Sequence, residues 1–174
     1  MKKGETWISV VLYIALGTIV LTIVLAAGMP VINKLRDKNI ISETKDVFHQ
    51  IDETVRTVIN EGPGSQRIRT VQINKGLFQV RPDTDSVGWS METKYIESEP
   101  GVVIKEGSLD ILSYEDRYVI GKYWTSLNLT YFNIADIQLE SSSQTFTGRF
   151  DLVIRNDGVP GGGTRPIIKF REKG

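Results

Sequence analysis

A run without charged side chains near the N-terminus constrains this chain more than any other feature. No Asp, Glu, Lys or Arg occurs from Thr6 to Asn33, and twelve residues between Trp7 and Leu25 are Ile, Leu or Val. Each of these apolar residues contributes roughly −0.3 to −0.6 kcal/mol to insertion into a bilayer. A helix over the whole run would be about 42 Å long, and the hydrocarbon core of a membrane is only ~30 Å thick. The sequence therefore predicts a segment that enters a bilayer and can span it with tilt.

A cleaved secretory signal is the alternative interpretation of the same run. Such a signal has an apolar region of about 7–15 residues that ends in a small-residue cleavage site. Here the small residues Ala26-Ala27-Gly28 follow a longer apolar run, so this alternative fits poorly but stays open. Basic residues flank the run on both sides, at Lys2 and Lys3 and again within residues 34–38. Their number therefore leaves the orientation of the segment undecided.

A second helical segment follows the apolar run. Gly28-Met29-Pro30 predicts a kink or a short melted stretch, because proline removes a backbone donor and clashes with the preceding turn. Beyond it, residues at helical spacing predict an amphipathic helix with one buried stripe. The stripe contains Ile40, Thr44, Val47, Phe48, Ile51, Val55, Val58 and Ile59. Glu61-Gly62-Pro63-Gly64 is predicted to end this helix, because glycine forms a left-handed cap and proline cannot continue the helix.

The pattern after Gly64 alternates between polar and apolar residues, as in β-strands. Arg67–Ile73 and Leu77–Arg81 flank the turn-like Asn74-Lys75-Gly76 and predict a hairpin. Further strands are predicted at residues 89–96, 102–104, 108–112, 118–122, 125–131, 134–139, 146–154 and 167–170. Short strands without long helices between them favour an antiparallel sheet.

These patterns together predict an α+β fold. We expect a long, kinked N-terminal helix, hydrophobic and then amphipathic, followed by an antiparallel β-sheet or sandwich domain. An amphipathic helix and a sheet with one apolar face can cover each other. The helix residues that we expect to pack on the sheet are Val47, Ile51, Val55 and Val58.

Composition excludes several kinds of chemistry. The chain has no cysteine, so it has no disulfide, no thiolate nucleophile and no cysteine-based metal site. It has one histidine, His49, for which we expect a surface or helix-packing role. The formal net charge is zero and no long basic block occurs, so nothing indicates contact with nucleic acid. We expect no cofactor and no metal.

Three local motifs resemble functional loops but are better explained as turns or connections. Asp83–Gly88 begins like a calcium-binding loop, but the position of the bidentate glutamate is occupied by Lys94. Gly161–Thr164 lacks the lysine and the spacing of a phosphate-binding loop. Glu115 and Asp116 would form a hydrolytic pair only in a cleft that raises a pKa, so a solvated turn is the default interpretation.

Asn128-Leu129-Thr130 is a glycosylation sequon. On a strand with alternating faces, Asn128 and Thr130 would lie opposite Leu127, Leu129 and Tyr131. The sequence therefore predicts that Asn128 is exposed, and Asn128 is a candidate for glycosylation on a surface protein.

The first residues resemble those of a known superfamily. Lys2-Lys3-Gly4, then Glu5-Thr6 and the apolar run from Trp7, resemble the N-terminus of type IV pilins, especially archaeal pilins and archaellins with class III signal peptides. In that family a membrane peptidase cuts after the glycine and leaves the hydrophobic segment on the mature protein. The resemblance implies cleavage between Gly4 and Glu5, with Lys3 in the leader. Many bacterial members carry a glutamate where this chain has Ser9, so the archaeal variant is the better match.

The resemblance implies a domain organisation and a function. Residues 1–4 would be a leader, 5–61 a membrane and polymerisation helix with a kink near 28–30, and 62–174 a β-rich domain. The protein would be a non-enzymatic subunit that is stored in the bilayer and assembled into a cell-surface filament. Its partners would be a leader peptidase, an assembly ATPase with its membrane platform, and copies of itself. The residues expected in the filament core are Trp7, Val11, Ile14, Leu21, Val24 and Leu25.

Other interpretations remain open at this point. The main alternative is an uncleaved single-pass membrane protein whose extracytoplasmic β domain binds a ligand or an envelope partner. An envelope enzyme is a third alternative without support from particular residues. Adhesion, motility, DNA uptake and secretion are all compatible with a filament subunit.

Overall fold

A computed structural model describes residues 3–141 and 143–173, with the backbone alone described for residues 3–6. The chain divides into two compact units, Met1–Arg36 and Asp37–Gly174. Helix α1 (Lys3–Glu61) forms the described part of the first unit and contributes its remaining residues to the second. The division falls inside the helix because the residues after Arg36 pack on a β-sheet.

The second unit contains eight strands in one sheet. They are β1 (Gln66–Arg81), β2 (Ser86–Thr93), β3 (Val103–Glu106), β4 (Leu109–Glu115), β5 (Tyr123–Thr130), β6 (Asp136–Leu139), β7 (Thr145–Asn156) and β8 (Ile167–Glu172). Their order in the sheet is β3-β4-β5-β2-β1-β7-β8-β6. Neighbouring strands are antiparallel except β6 and β8, which are parallel. The predicted α+β fold, with a long helix before an antiparallel sheet, is confirmed.

The predicted hairpin around Asn74-Lys75-Gly76 is wrong, because β1 is one continuous strand. It pairs with β7 over residues 66–73 and again at 78–79, and with β2 over residues 77–81. The register with β7 shifts between Ile73 and Phe78, which marks an irregularity in the strand rather than a turn. Gly76 has a φ of +89°, and Trp89 Nε1 donates a hydrogen bond to Lys75 O at 2.9 Å. Asn74-Lys75-Gly76 thus form a bulge within β1 and not a turn, and β1 continues through it to pair with both β7 and β2.

The predicted strand at residues 118–122 is also wrong. These residues lie in the loop that connects β4 to β5, and β5 begins at Tyr123. Tyr118 and Ile120 are 93% and 98% exposed, so their apolar character does not reflect a buried strand face. The other predicted strands are present, and most have ends shifted by one to three residues. Element ends are the least reliable part of pattern-based prediction.

The core lies between α1 and one face of the sheet. Ile51, Val55 and Val58 are fully buried there, and Val47 is half-buried at the margin of the cluster. Phe48 is fully buried, and its ring packs edge-on against Phe78 of β1 with centroids 5.8 Å apart. Burying side chains of this size stabilises the folded state by roughly 1.5–3 kcal/mol each. The amphipathic half of α1 is therefore an integral layer of the β domain.

The turn after β1 includes only the first part of the turn predicted at Asp83–Gly88, because β2 begins at Ser86. Residues 82–84 form a short 3-10 helix, and Asp85 then takes a left-handed conformation with a φ of +46°. Asp85 Oδ1 accepts a hydrogen bond from the Ile137 backbone N–H at 2.8 Å, which ties this turn to β6. Asp85 thus stabilises a turn.

Candidate membrane and assembly helix

The first part of α1 carries the apolar run, and its side chains have no cover. Every residue from Trp7 to Arg36 other than Gly28 is exposed. The residues that we expect in a filament core are 55–78% exposed: Trp7, Val11, Ile14, Leu21, Val24 and Leu25. The most apolar window of the helix has a mean hydropathy of 2.7. By length and composition, the helix could cross a membrane. Exposure of its apolar surface to water would cost about 25 cal/mol per Å².

The threonine hydroxyls of this segment find partners within the helix. Thr18 Oγ1 donates to Ile14 O at 2.9 Å, and Thr22 Oγ1 donates to Thr18 O at 2.8 Å. A polar group in a bilayer needs such a partner, because lipid tails offer none. These two hydroxyls are therefore compatible with an apolar surrounding.

The helix is continuous across Gly28-Met29-Pro30. The melted stretch that we considered there is wrong, because all three residues are helical. Pro30 still cannot donate a hydrogen bond to the carbonyl of Ala26, and this loss is the usual cause of a helix bend. The kink at Gly28 and Pro30 stays a prediction.

The predicted cleavage site lies at the edge of the described residues. Met1 and Lys2 are outside them, and the helix begins at Lys3. Only the backbone of Lys3, Gly4 and Glu5 is described. Cleavage between Gly4 and Glu5 therefore stays a prediction.

Asp37 attaches the start of the second unit to the sheet. Its carboxylate accepts hydrogen bonds from Lys75 Nζ at 2.8 Å, from the Lys94 backbone N–H at 2.9 Å and from Thr93 Oγ1 at 3.2 Å. Lys75 lies beside the bulge of β1, whereas Thr93 and Lys94 are at the end of β2. The single side chain thus joins α1 to two strands. Its neighbours on the sheet are distant in sequence, so no local pattern indicated this role.

Lys45 forms a second polar connection, which links α1 to the edge of the sheet that is formed by β3. Its Nζ lies 2.6 Å from Glu97 Oε1 and 3.2 Å from Glu106 Oε2. Glu97 lies in the connection between β2 and β3, and Glu106 is the last residue of β3. Arg69 adds a third link, since its Nε donates to Thr54 Oγ1 at 2.8 Å. Polar links therefore surround the apolar contact of helix and sheet.

The C-terminus of α1 is held by the chain that follows it. Gly62 has a φ of +88°, which suits the predicted left-handed cap. The carbonyl of Val58 accepts hydrogen bonds from Ser65 Oγ at 2.7 Å and from Asn156 Nδ2 at 3.1 Å. Asn156 is buried at the end of β7, and no local pattern in the sequence predicts its role. The last turn of α1 is thus hydrogen-bonded both to the segment before β1 and to the end of β7.

A buried polar cluster lies under the middle of the helix. Asp52 Oδ2 accepts hydrogen bonds from Ser108 Oγ at 2.6 Å and from Arg56 Nε at 2.9 Å. Burial raises the pKa of the Tyr131 hydroxyl well above its ordinary value, and the nearby Asp52 carboxylate adds to this rise. Tyr131 is therefore neutral at physiological pH. The hydrogen bond from Ser108 joins α1 to the turn before β4, whereas the Tyr131 hydroxyl, just after β5, is buried without a hydrogen-bond partner.

His49, the Glu115-Asp116 pair and the glycine-rich segment near residue 161 do not come together in a common site. His49 is exposed on α1, and no group of three or more His, Asp or Glu among residues 3–141 and 143–173 is placed to hold a metal ion. Glu115 and Asp116 lie where β4 ends, and both accept backbone hydrogen bonds of the following loop. Residues 161–162 form a turn and residues 164–165 a bend before β8, so Gly161–Thr164 lies in a connection, as expected.

Asn128 lies on the face of β5 that we expected. Leu127 and Leu129 are fully buried, and Asn128 lies on the opposite face. The predicted exposure of Asn128 is wrong, because hydrogen bonds with neighbouring side chains leave it half-buried. Its Oδ1 accepts a hydrogen bond from Arg81 at 2.9 Å, and its Nδ2 donates to Thr130 Oγ1 at 2.9 Å. A glycan would be attached to this Nδ2 atom, so the folded strand restricts access to it. Glycosylation of Asn128 stays a prediction.

Comparisons with known proteins identify no relative. No protein-family model, no curated protein and no solved structure matches this chain.

Proposed function

We propose that this chain is a structural subunit of a cell-surface filament of the type IV pilus kind, with its N-terminal helix as membrane anchor before assembly and as filament core afterwards. The observation that carries this proposal is the exposed, charge-free helix from Trp7 to Asn33, which continues without a break into a helix packed on a β-sheet. The leader Lys2-Lys3-Gly4 before Glu5 supports a filament of this kind, and Ser9, where many bacterial members carry a glutamate, favours the archaeal variant.

The distribution of apolar residues supports a helix that is covered on all sides. A helix that packs on one partner has one apolar stripe and a polar opposite face. The segment from Trp7 to Asn33 has no charged residue on any face. Lipid surrounds such a helix completely, and so do equivalent helices in a central bundle. Transfer from lipid to a bundle of copies therefore exchanges one apolar cover for another.

The attachment of the second half of α1 supports a role in transmitting force along a filament. Asp37 and Lys45 link the helix to strands and connections of the sheet, and Asn156 links its C-terminal end. Force along the helix would therefore reach the whole β domain. A flexible stalk between an anchor and a binding domain does not need these links.

The identity of the first residue of the native protein distinguishes a processed filament subunit from an uncleaved membrane protein. Purified native protein should begin at Glu5 when intact-mass and peptide mass spectrometry are applied. A native chain that retains Met1 would contradict the filament proposal and favour a single-pass protein with a binding domain.

A substitution at the cleavage site tests assembly directly. We expect Gly4→Trp to block processing and to remove filaments from the cell surface, as seen by electron microscopy. Gly161→Trp is the matched control, because a Cβ at Gly161 would have open space in a surface loop. This control should be processed and assembled normally. Normal filaments from both variants would refute the proposal.

A further inference from the structure

The loop between β4 and β5, residues 116–122, presents apolar side chains to solvent. Tyr118 is 93% exposed, Ile120 is 98% exposed and Val119 is 50% exposed. No other large apolar side chain among the described residues is as exposed as those of Tyr118 and Ile120. Such exposure is unfavourable in water, so this loop tip is a candidate contact surface.

The loop is held in this conformation by hydrogen bonds. Asp116 Oδ1 accepts the backbone N–H groups of Tyr118 at 2.9 Å and Val119 at 3.2 Å. Asp116 Oδ2 accepts Trp124 Nε1 at 3.0 Å, and Glu115 Oε1 accepts the Gly121 N–H at 3.0 Å. The two carboxylates thus fix a backbone that leaves the apolar side chains outside. A contact made by a fixed loop requires little additional ordering.

The loop lies at the end of the sheet where the chain enters the second unit. Thr93, at the end of β2, pairs with Tyr123, the residue that follows the loop. Asp37, the first residue of the unit, accepts hydrogen bonds from Thr93 and from the next residue, Lys94. Asp37 is separated from the charge-free run by only residues 34–36. The chain between the charge-free run and this end of the sheet is therefore only three residues long.

We propose that Tyr118, Val119 and Ile120 insert into the interface of the lipid bilayer that holds the apolar helix before assembly. This inference rests on the membrane-stored state of the proposed function. Tyrosine favours the level of the lipid headgroups, and isoleucine favours the acyl chains below it. Among the described residues, no other surface combines such exposed apolar side chains with this position in the chain.

The charges around the loop suit an anionic lipid surface. Arg117 and Lys122 flank the apolar tip, and Lys94 lies at the same end of the sheet. Lys122 pairs with Glu92, with their atoms 2.9 Å apart. Arg117 and the ammonium of Lys94 form no ion pair within the described part of the chain and are exposed. A basic residue near an anionic surface contributes about 1 kcal/mol to binding.

The experiment uses the absence of cysteine from the chain. Ile120→Cys, Val159→Cys and Leu21→Cys are prepared singly in the full chain and labelled with an environment-sensitive fluorophore. Val159 is the matched control: it is an exposed apolar residue at the other end of the sheet, next to Gly158, which lies beside Pro63. Each protein is reconstituted in vesicles of phosphatidylcholine and phosphatidylglycerol in equal parts, with or without a nitroxide quencher on the acyl chains.

The expected result is loss of most emission by the label at residue 120 when the quencher is present, with little loss at residue 159. Equal emission loss at residues 120 and 159, with strong quenching at residue 21, would overturn the loop proposal and leave the membrane anchor intact. A blue shift at residue 120 without quenching by lipid would assign the loop to a second copy of the chain and would also overturn it. Absence of quenching at residue 21 would refute both the loop contact and the membrane-stored state.

Discussion

Removal of the Asp37 carboxylate should loosen the helix from the sheet at the point where the two compact units meet in sequence. The carboxylate accepts three hydrogen bonds, one each from Lys75, Thr93 and the Lys94 backbone. Hydrogen bonds to charged groups contribute about 1.5–3 kcal/mol, whereas an exposed ion pair contributes about 0–1 kcal/mol. The Lys75 side chain is 42% exposed and will be hydrated again after the loss. We therefore expect Asp37→Ala to lower the free energy of unfolding by about 2–3 kcal/mol.

Two further variants separate the carboxylate from other effects of substitution. Asp37→Asn keeps an oxygen that can accept the Lys94 N–H, so we expect a loss of only about 1 kcal/mol. Asp46→Ala removes an exposed carboxylate from the same helix, and we expect a change within about 0.5 kcal/mol. Urea unfolding of the full chain in detergent, followed by circular dichroism, measures these differences. Hydrogen exchange should quicken in residues 38–45 of Asp37→Ala alone.

A result in which Asp37→Ala and Asp46→Ala have the same stability would refute this account of the attachment. Faster exchange throughout the sheet, without a local effect at the start of the unit, would show that Asp37 supports the fold as a whole. That outcome would contradict its specific role in holding this part of the helix.

Three further predictions concern the strand bulge, the exposed loop and the apolar helix. Gly76→Ala should destabilise the domain by about 3 kcal/mol in urea unfolding, because φ is +89° and a Cβ would lie 2.5 Å from a carbonyl oxygen of β2. Gly107→Ala is the control, and it should cost only about 1 kcal/mol because the space around Gly107 is open. Equal losses in the two variants would show that the close contact at Gly76 does not matter. Backbone and Trp124 hydrogen bonds lower the pKa of Asp116 below its ordinary 3.8. The stabilisation that they give the loop is therefore fully present above pH 3.8 and is lost as pH falls through the lower pKa of the folded state. The Trp124 indole N–H resonance in NMR should shift with this titration, and the same pH-dependent shift in Asp116→Ala would refute the role of Asp116. Leu21→Glu should oppose membrane insertion by about 3 kcal/mol and release the chain on alkaline extraction of membranes, whereas Leu21→Ile should remain in the membrane; equal retention of both would contradict a lipid-facing helix.

Much of the architecture could be predicted because it depends on local patterns. The helix end at Glu61 follows from the glycine and proline beyond it, and β-strands follow from alternation after Gly64. Asn74-Lys75-Gly76 could not be assigned in this way, because the same residues suit a turn and a bulge. The choice depends on Trp89, whose Nε1 atom contacts the carbonyl of Lys75 across the strands.

The candidate sites divide in the same way. The apolar helix and the residues around Gly4 are visible in the sequence because they are contiguous. The roles of Asp37, Lys45 and Asn156 were missed, because their partners are 38 or more residues away in the chain. The Tyr118–Lys122 segment was misassigned, since its apolar residues suit a buried strand as well as an exposed tip.

The sequence alone determined that a charge-free helix precedes an amphipathic helix and a β-rich domain, since hydropathy and periodicity act over neighbouring residues. Only the tertiary structure decided where the helix stops being free and becomes part of the domain. That boundary lies at Asp37, and it depends on hydrogen bonds to groups of β1 and β2 that folding brings together. The tertiary structure likewise decided that Tyr118 and Ile120 stay outside, because Asp116 and Glu115 hold their loop open rather than in the sheet.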